Sequence, residues 1–443
     1  MSQDVWQAAV GPAYGPSSGG EGPVRITSEG WRAIKVVYGP RNGRTAGSKP
    51  HDVLKEVELL RKLDHENIIR LIDYEYDELM LEHRLTFPFY ATTLSQLLEV
   101  PTFPYNPPDD AMRASVPPSA QEESGVQTIT TIIYSLLSAV NYLHTWNPPI
   151  AHRDINPSNV MIDWDGSLKL GDLGTAWWLG DVQGVTGKKS LVGHGALPWV
   201  ENGDDMCCDV GTGPYRAPEL LISPTRYDAL GVDLWATGCT IAQLFTSYRP
   251  FAQLRPASTY DSDSSESGSC DPLEDDTYPR PRPRASYRND NNDSSESELR
   301  GNRDNDDGTP SLTDSAKGTR QPLFDASFGS LGLAASIFRT LGTPTPESWP
   351  SFRTLPDANK VEFPFSPPTD LGDHMPELHR MGHHAGVIKQ MLSGLIVLGP
   401  SKRMSVGETI KIGRESGLLS ESSHNGERGS QEGRETLRRW VDP

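Results

Sequence analysis

The chain has 443 residues and a net charge of −18, which argues against a chain-wide basic surface for nucleic acid or anionic lipid. No apolar run reaches the roughly 18 residues of a membrane-spanning helix, and the four cysteines include no C-x-x-C pair. Hydrophobic residues make up only 35% of the chain, beside 41 glycines and 37 prolines. We therefore expect a soluble protein of the nucleus or cytoplasm, with a packed core, long loops, and no nucleic-acid or membrane partner.

The amino-terminal part of the chain carries short hydrophobic patterns typical of a small sheet with one helix. Residues 1–23 are rich in Gly, Pro and Ser without periodicity, which predicts a flexible N-terminus. Residues 31–37 alternate as in a strand, and 51–63 have apolar side chains at helical spacing. The apolar segments 68–74 and 84–90 predict two further strands.

The following part of the chain favours helices. Residues 101–126 are rich in proline and predict a loop insertion, because proline interrupts a helix. Apolar residues at helical spacing predict a long buried helix over 129–143 and another over 232–245. The polar segment 414–443 predicts a flexible tail.

A strongly acidic segment follows the second of these helices. Residues 261–310 contain 14 acidic and 6 basic residues and repeat the pentapeptide DSSES at 263–267 and 293–297. Their few apolar side chains cannot offset an ordering entropy of roughly 1–2 kcal/mol per residue. We therefore predict a disordered acidic insertion over 255–320.

The most informative motif is HRDINPSN at His152–Asn159, followed by KLGDLG at Lys169–Gly174. Phosphoryl transfer to a hydroxyl needs a carboxylate that orients and deprotonates the hydroxyl, and Mg²⁺ ligands that hold the triphosphate of ATP. The signature H-R-D-x-x-x-x-N followed by D-F-G supplies both, here with leucine in place of the phenylalanine. It places Asp154 as the catalytic base and Asn159 and Asp172 as Mg²⁺ ligands.

A lysine and a glutamate upstream complete this set. The tripeptide AIK ending at Lys35 matches the end of V-A-I-K, in which the lysine holds the α- and β-phosphates. Its expected partner is Glu56, on the helix predicted over 51–63. Glu58 is the alternative, but it lies about 200° around that helix from Glu56. For Lys35 alone, a solvated lysine on an edge strand would be the simpler interpretation.

Two downstream motifs predict structural contacts. YRAPE ending at Glu219 matches the A-P-E motif, and Lys402-Arg403 offers a cationic partner for that glutamate. Asp233 gives the helix predicted over 232–245 an acidic start. We interpret these residues as architectural, without a role in the chemistry.

These motifs resemble those of the eukaryotic protein kinases, over roughly residues 24–413. Within that family, YRAPELL and the IFRTLGTP of Ile337–Pro344 are similar to the CMGC group and most similar to the cyclin-dependent kinases. The resemblance implies an α+β, bilobal kinase fold that uses ATP and Mg²⁺. It divides the chain into a small lobe with the hinge, 24–90, and a large helical lobe, 91–413, which carries both insertions.

The resemblance also assigns an adenine site. Phe87 would be the gatekeeper, and Pro88 to Tyr90 the hinge whose backbone meets adenine. Pro88 has no N–H and can only accept, so Tyr90 must supply the donor. No clean G-x-G-x-x-G precedes the AIK lysine, and the nearest match, from Gly11 to Gly15, has a proline where backbone donors are needed.

Three further departures from the family pattern bear on activity. Asn156 replaces the lysine found beside the transferring phosphoryl group in serine/threonine kinases, although Pro157 still favours that type. GSKPHDVLKEV at 47–57 stands in place of the cyclin-reading helix. Cys207 occupies the position of the activating threonine, and a cysteine cannot accept that phosphate.

In most cyclin-dependent kinases the activating phosphothreonine pairs with arginines, including the HRD arginine, which is Arg153 here. The ordered active state must then come from other contacts, and Asp204, Asp205 and Asp209 are the candidates to face Arg153. A carboxylate carries about one charge against about 1.5 to 2 for a phosphate, so such a pairing is weaker but permanent. We therefore expect activity without phosphorylation.

The missing cyclin helix and threonine resemble the fungal single-chain cyclin-dependent-kinase-activating kinases. That resemblance implies a serine/threonine kinase whose protein substrate is another kinase, with no cyclin-type subunit. The alternative is a pseudokinase that binds partners through its acidic insertion. The weak glycine loop and Asn156 favour the alternative, and the complete set of catalytic residues opposes it.

Overall fold

The computed structural model describes residues 5–9, 31–38, 52–105, 118–178, 201, 203–250, 318–419 and 427–441. Gly11, Gly15 and the acidic insertion as far as residue 317 lie outside the described residues. The described chain forms a small lobe built on one sheet and a larger lobe built mainly from helices.

The small lobe contains a four-stranded antiparallel sheet in the order β1–β2–β4–β3. Its strands are β1 (Val5–Ala9), β2 (Arg32–Tyr38), β3 (Asp73–Asp77) and β4 (Glu82–Pro88). The strand predicted over 31–37 is confirmed as β2. The prediction of a flexible N-terminus is wrong for residues 5–9, because they form an edge strand that pairs with β2 along its whole length.

The strand predicted over 68–74 begins later than its hydrophobic pattern suggests. β3 starts at Asp73, while Ile68 and Ile69 are buried ahead of it. The Ile69 N–H donates to the carbonyl of Leu170 in the large lobe at 3.0 Å. The apolar character of this segment therefore reflects burial against the large lobe.

Helix α1 (Val53–Lys62) confirms the helix predicted over 51–63. Asp52 caps it, because its carboxylate accepts from the N–H groups of Leu54 at 3.0 Å and Lys55 at 3.2 Å. One face of α1 is buried, and Glu56 lies on that face.

The large lobe contains the remaining elements. Its helices are α2 (Leu94–Leu98), α3 (Pro118–Thr145), α4 (Ala229–Ala242), α5 (Gly329–Leu341), α6 (Ala385–Leu395), α7 (Val406–Glu415) and α8 (Glu427–Arg438). Its strands are β5 (Thr92–Thr93), β6 (Ile150–Ala151), β7 (Val160–Ile162), β8 (Leu168–Leu170), β9 (Trp177–Trp178), β10 (Tyr248–Pro250) and β11 (Gly318–Arg320). Short 3₁₀ helices span Pro157–Asn159, Leu173–Thr175, Gly213–Tyr215, Pro218–Ile222, Gln243–Phe245, Phe352–Thr354, Leu371–His374, Pro376–His384 and Pro400–Lys402. Almost every residue of α4 is buried, so this helix is the centre of the lobe.

Helix α3 begins at Pro118, inside the segment predicted to be a loop insertion over 101–126, so that prediction is wrong from Pro118 onward, whereas residues 101–105 form turns. Proline is tolerated in the first helical turn, where its missing N–H would have no partner. At the other end Phe103 and Tyr105 are buried. Residues 106–117 lie outside the described residues.

Helix α3 is also long and apolar enough over Glu123–Thr145 to span a membrane by composition alone. Within the structure, however, 67% of its most apolar window is buried. Burial of that kind is typical of the core helix of a folded lobe.

The carboxyl-terminal segment 414–443 is not a flexible tail throughout, because α8 packs on α3. Leu437 is fully buried, and the ring of Trp440 meets Phe103 edge to face at 5.0 Å. Gly433 permits the close crossing, since a Cβ there would lie 2.2 Å from the Thr131 hydroxyl. Composition missed this helix because so few apolar residues anchor it.

Strands β10 and β11 hold the two ends of the acidic insertion side by side. They pair antiparallel, with Pro250 opposite Gly318. Residues 318–320 belong to the segment predicted to be disordered over 255–320, and the prediction is wrong there because Arg320 is buried. The other described end, at Pro250, precedes the predicted segment.

Deleting residues 261–310 is expected to leave the melting temperature nearly unchanged. The deleted segment has few apolar groups to bury, and pairing of β10 with β11 fixes both ends of the shortened loop. Thermal unfolding of the full and shortened chains checks this. A fall of more than a few degrees would show that the segment packs against the lobe.

Candidate active site

Lys35 on β2 and Glu56 on α1 meet in the interior of the small lobe. The Lys35 Nζ lies 3.3 Å from Oε1 and 3.1 Å from Oε2 of Glu56, and both side chains are 1% exposed. The same Nζ lies 2.8 Å from Oδ1 of Asp172. Glu58 is not the partner, because its side chain is 56% exposed and pairs with Lys62. The structure thus forms the predicted pair and adds a second carboxylate to it.

Asp154 lies at the centre of a hydrogen-bonded group in the loop before β7. The Asn159 amide donates to the Asp154 carbonyl at 2.8 Å and to its Oδ2 at 3.3 Å. The Asn156 amide donates to the Asp154 carbonyl and to its Oδ1, both at 3.1 Å. The Thr212 hydroxyl donates to the same Oδ1 at 2.6 Å. These contacts fix the orientation of the Asp154 carboxylate from two separate segments of the chain.

Asp233 on the buried helix α4 holds the loop that carries Asp154. Its carboxylate accepts from the backbone N–H groups of His152 and Arg153, each at 2.7 Å, and Asp233 itself is fully buried. Arg153 has a φ of 64° and Asp172 a φ of 62°. Such left-handed backbone costs about 1–3 kcal/mol per residue and persists only where the surroundings impose it. Asp233 was interpreted from the sequence as purely architectural, and the structure shows that it positions the site.

Asp172 and Asn159 have the donor chemistry of a Mg²⁺ site. Mg²⁺ prefers oxygen ligands, and the two side chains offer a carboxylate and an amide oxygen. Within the described ranges, no three His, Cys, Asp or Glu side chains cluster as a metal site. Two protein oxygen donors fit a metal that takes its other ligands from phosphate oxygens and water, as Mg²⁺ does with a bound nucleotide.

Phe87, Pro88 and Tyr90 lie where β4 leaves the small lobe. Phe87 is 1% exposed, so its side chain faces the interior. It pairs with Ala33 on β2, two residues before Lys35. Tyr90 is half-buried on the connection to the large lobe, and its role as a hinge donor stays a prediction. Gly11 and Gly15, the predicted glycine lid, lie outside the described residues.

A model of the protein kinase domain matches residues 23–411. The chain belongs to the protein kinase family. Its fold is also similar to the solved structure of the CAK complex from Chaetomium thermophilum bound to ATP-gamma-S, with a TM-score of 0.52 and 21% identity. That likeness covers 92% of this chain and 91% of the other. The predicted bilobal α+β kinase fold is therefore confirmed.

The curated relatives are fungal serine/threonine kinases. The chain is 31% identical over 221 residues to serine/threonine-protein kinase SSN3 of Chaetomium globosum, covering 49% of this chain and 36% of that protein. It is 32% identical over 200 residues to the SSN3 kinase of Pyricularia oryzae, covering 44% of this chain and 32% of that protein. The chain thus matches about a third of the length of these relatives. The finer resemblance to cyclin-dependent-kinase-activating kinases stays a prediction.

Within this kinase fold, Arg153 pairs with a residue that the sequence did not single out. Its guanidinium is bidentate to Glu201, with Nη1 2.7 Å from Oε1 and Nη2 2.6 Å from Oε2, and both side chains are almost fully buried. The prediction that Asp204, Asp205 or Asp209 faces Arg153 is wrong. Asp204 pairs with Arg226 and Asp209 with Arg216, at the surface. Asp205 is exposed.

Glu201 also holds the chain around Cys207. The Cys207 N–H donates to Glu201 Oε1 at 2.5 Å, and the Tyr227 hydroxyl donates to the Cys207 carbonyl at 2.7 Å. Burial by itself lowers the pKa of Arg153, but the hydrogen bonds to Glu201 and Tyr227 outweigh burial and raise it. The arginine therefore stays charged, and Glu201 supplies the anionic partner that the sequence resemblance led us to expect for it.

Glu219 and Arg403 form a further buried ion pair within the large lobe. The Arg403 Nη1 and Nη2 each lie 2.6 Å from an oxygen of Glu219. This confirms Arg403 as the predicted partner, whereas the Lys402 amine donates to the Glu347 carbonyl. The pair joins the A-P-E motif to the segment before α7.

Proposed function

We propose that this chain is an ATP-dependent serine/threonine protein kinase of the cyclin-dependent type. The observation that carries the proposal is the buried contact of Lys35 with both Glu56 and Asp172. In kinases this contact accompanies the active arrangement of the small lobe, because the lysine must reach the phosphates while the metal-binding aspartate faces them. Asp154 and Asn159 are joined in the same site.

Each residue then has a role in transfer to a hydroxyl. Asp154 orients the acceptor hydroxyl and accepts its proton, and Asn156 and Thr212 hold that carboxylate in place. Lys35 would bind the α- and β-phosphates of ATP. Asp172 and Asn159 would hold Mg²⁺, which when bound neutralises charge on the triphosphate.

The single chain already holds α1 in place, which supports a kinase that needs no cyclin-type subunit. The Lys62 ammonium lies 4.3 Å from the ring centre of Trp178 on β9, a cation–π contact worth about 0.5–2 kcal/mol. The Asp52 N–H also donates to the Gly174 carbonyl at 2.9 Å. Both contacts tie α1 to the segment after Asp172. The solved structure of similar fold named above is a complex, so independence of a partner subunit is part of the proposal.

The proposed substrate is the activation loop of another kinase. It rests on the sequence resemblance to activating kinases and on Pro157, which begins the 3₁₀ helix after Asn156 and is typical of serine/threonine specificity. A pseudokinase is the alternative, and the replacement of the usual lysine by Asn156 is the observation that favours it.

Asp172→Asn is expected to weaken Mg·ATP binding at least about tenfold, because it removes the anionic metal ligand and one carboxylate beside Lys35. The measurement is the thermal shift produced by ATP with and without Mg²⁺. The wild-type chain should show a Mg²⁺-dependent shift and the variant a much smaller one. A wild-type chain that gains no stability from ATP and Mg²⁺ would contradict the proposed activity.

A further inference from the structure

The residues Thr212–Tyr215 form a tight turn beside the catalytic carboxylate. The Thr212 hydroxyl contacts Asp154 at 2.6 Å, and the Tyr215 N–H closes the turn on the Thr212 carbonyl at 3.0 Å. Thr212 and Gly213 are exposed, so this turn borders the place where an acceptor hydroxyl must approach Asp154. Whatever fixes Tyr215 therefore fixes the edge of the protein-substrate site.

Gln243, at the end of α4, forms a hydrogen bond with the Tyr215 side chain. Its amide oxygen accepts from the Tyr215 hydroxyl, and its amide nitrogen donates to the Arg320 carbonyl at 2.7 Å. Burial raises the pKa of Tyr215, so its hydroxyl stays protonated and remains a donor. The amide orientation is fixed by its two neighbours, since only the oxygen can face a donor and only the nitrogen a carbonyl.

Arg320, whose carbonyl accepts from Gln243, is itself held in place by hydrogen bonds. Its guanidinium is buried and donates to the Phe103 carbonyl at 2.8 Å and to the Thr246 carbonyl at 2.7 Å. It thus ties β11, where the chain returns from the acidic insertion, to the segment after α2 and to the end of α4. Burying a charged guanidinium is costly unless it is hydrogen-bonded. The hydrogen bonds of Arg320 therefore hold the base of the insertion as an ordered junction.

We propose that Gln243 is a positioning residue for protein-substrate binding, which couples the Thr212–Tyr215 turn to the junction at Arg320. A glutamate of the same shape could accept from Tyr215 but could not donate to the Arg320 carbonyl. The proposal rests on the kinase activity proposed above, because it concerns the protein substrate of that reaction.

The test compares Gln243→Met, which removes both hydrogen bonds, and Gln243→Glu, which removes the one to Arg320. The chain offers a matched control in Thr240→Val, one turn earlier on α4. Thr240 is fully buried, and its hydroxyl has no hydrogen-bond partner among the described residues. Two readouts are measured: hydrogen exchange of the Tyr215 and Arg216 amides, and the KM values for ATP and for a catalytically inactive cyclin-dependent kinase.

In Gln243→Met we expect about tenfold faster exchange at the two amides and a rise of about tenfold in the protein-substrate KM, with the KM for ATP unchanged. Gln243→Glu should lie between wild type and Gln243→Met, and Thr240→Val should match wild type. Unchanged exchange in Gln243→Met, or an equal rise in both KM values, would overturn the proposal. Hydrogen exchange needs no turnover. An inactive wild-type chain would refute the proposed activity, but the exchange data would still decide whether Gln243 is coupled to the turn.

Discussion

Replacing Asp154 by asparagine is expected to lower phosphoryl transfer by about 10²–10⁴-fold while ATP affinity stays close to that of the wild type. Asparagine keeps the size of the side chain and can still meet Thr212 and Asn156. It cannot accept the proton of the acceptor hydroxyl, however, and that proton transfer is the role proposed for Asp154.

Single-turnover transfer and ATP-induced thermal shift measure the two quantities separately. Asp172→Asn is the contrasting variant, because it removes a metal ligand and should weaken nucleotide binding itself. Full transfer activity in Asp154→Asn would mean that the carboxylate is not the base. Full activity in both variants would rule out the enzyme proposed here.

Glu201→Gln is expected to cost at least about tenfold in activity and to destabilise the segment around Cys207. Glutamine keeps the shape of Glu201 but removes the charge that faces Arg153, which is buried and would be left uncompensated. Breaking a buried ion pair typically costs about 3–5 kcal/mol, and 1.4 kcal/mol is already a factor of ten. Steady-state kinetics and thermal unfolding measure both effects.

Matched controls are the three aspartates nearby. Asp204→Asn, Asp205→Asn and Asp209→Asn remove exposed charges and are expected to change activity little, because exposed ion pairs contribute at most about 1 kcal/mol. Phosphatase treatment should likewise have little effect, since Glu201 needs no phosphate. A tenfold loss on dephosphorylation would require another acceptor, with Thr186 or Ser190, outside the described residues, the first to examine.

The site residues were predictable where the chain itself sets their spacing. Asp154 and Asn159 lie in the loop and 3₁₀ helix just before β7, and Asp172 follows β8, so their order along the sequence nearly determines their geometry. The pairing of Lys35 with Glu56 followed from helical periodicity, which distinguishes the buried face of α1 from the face that carries Glu58.

Contacts between distant segments were not predictable in this way. Glu201 reaches Arg153 across 48 residues, and nothing in its local sequence distinguishes it from the aspartates that follow. Helix α8 depends on Phe103 and on the glycine crossing at Gly433, neither of which gives a signal in composition. The same holds for Gln243, whose two partners come from opposite sides of the acidic insertion.

The most direct test is phosphoryl transfer by the bacterially produced, phosphatase-treated chain, alone with ATP, Mg²⁺ and a degenerate serine/threonine peptide library. We expect transfer to serine or threonine by the wild-type chain, lost in Asp154→Asn and reduced at least about tenfold in Glu201→Gln. If the wild-type chain binds ATP but transfers no more phosphate than Asp154→Asn, it is a pseudokinase and the proposed activity is wrong.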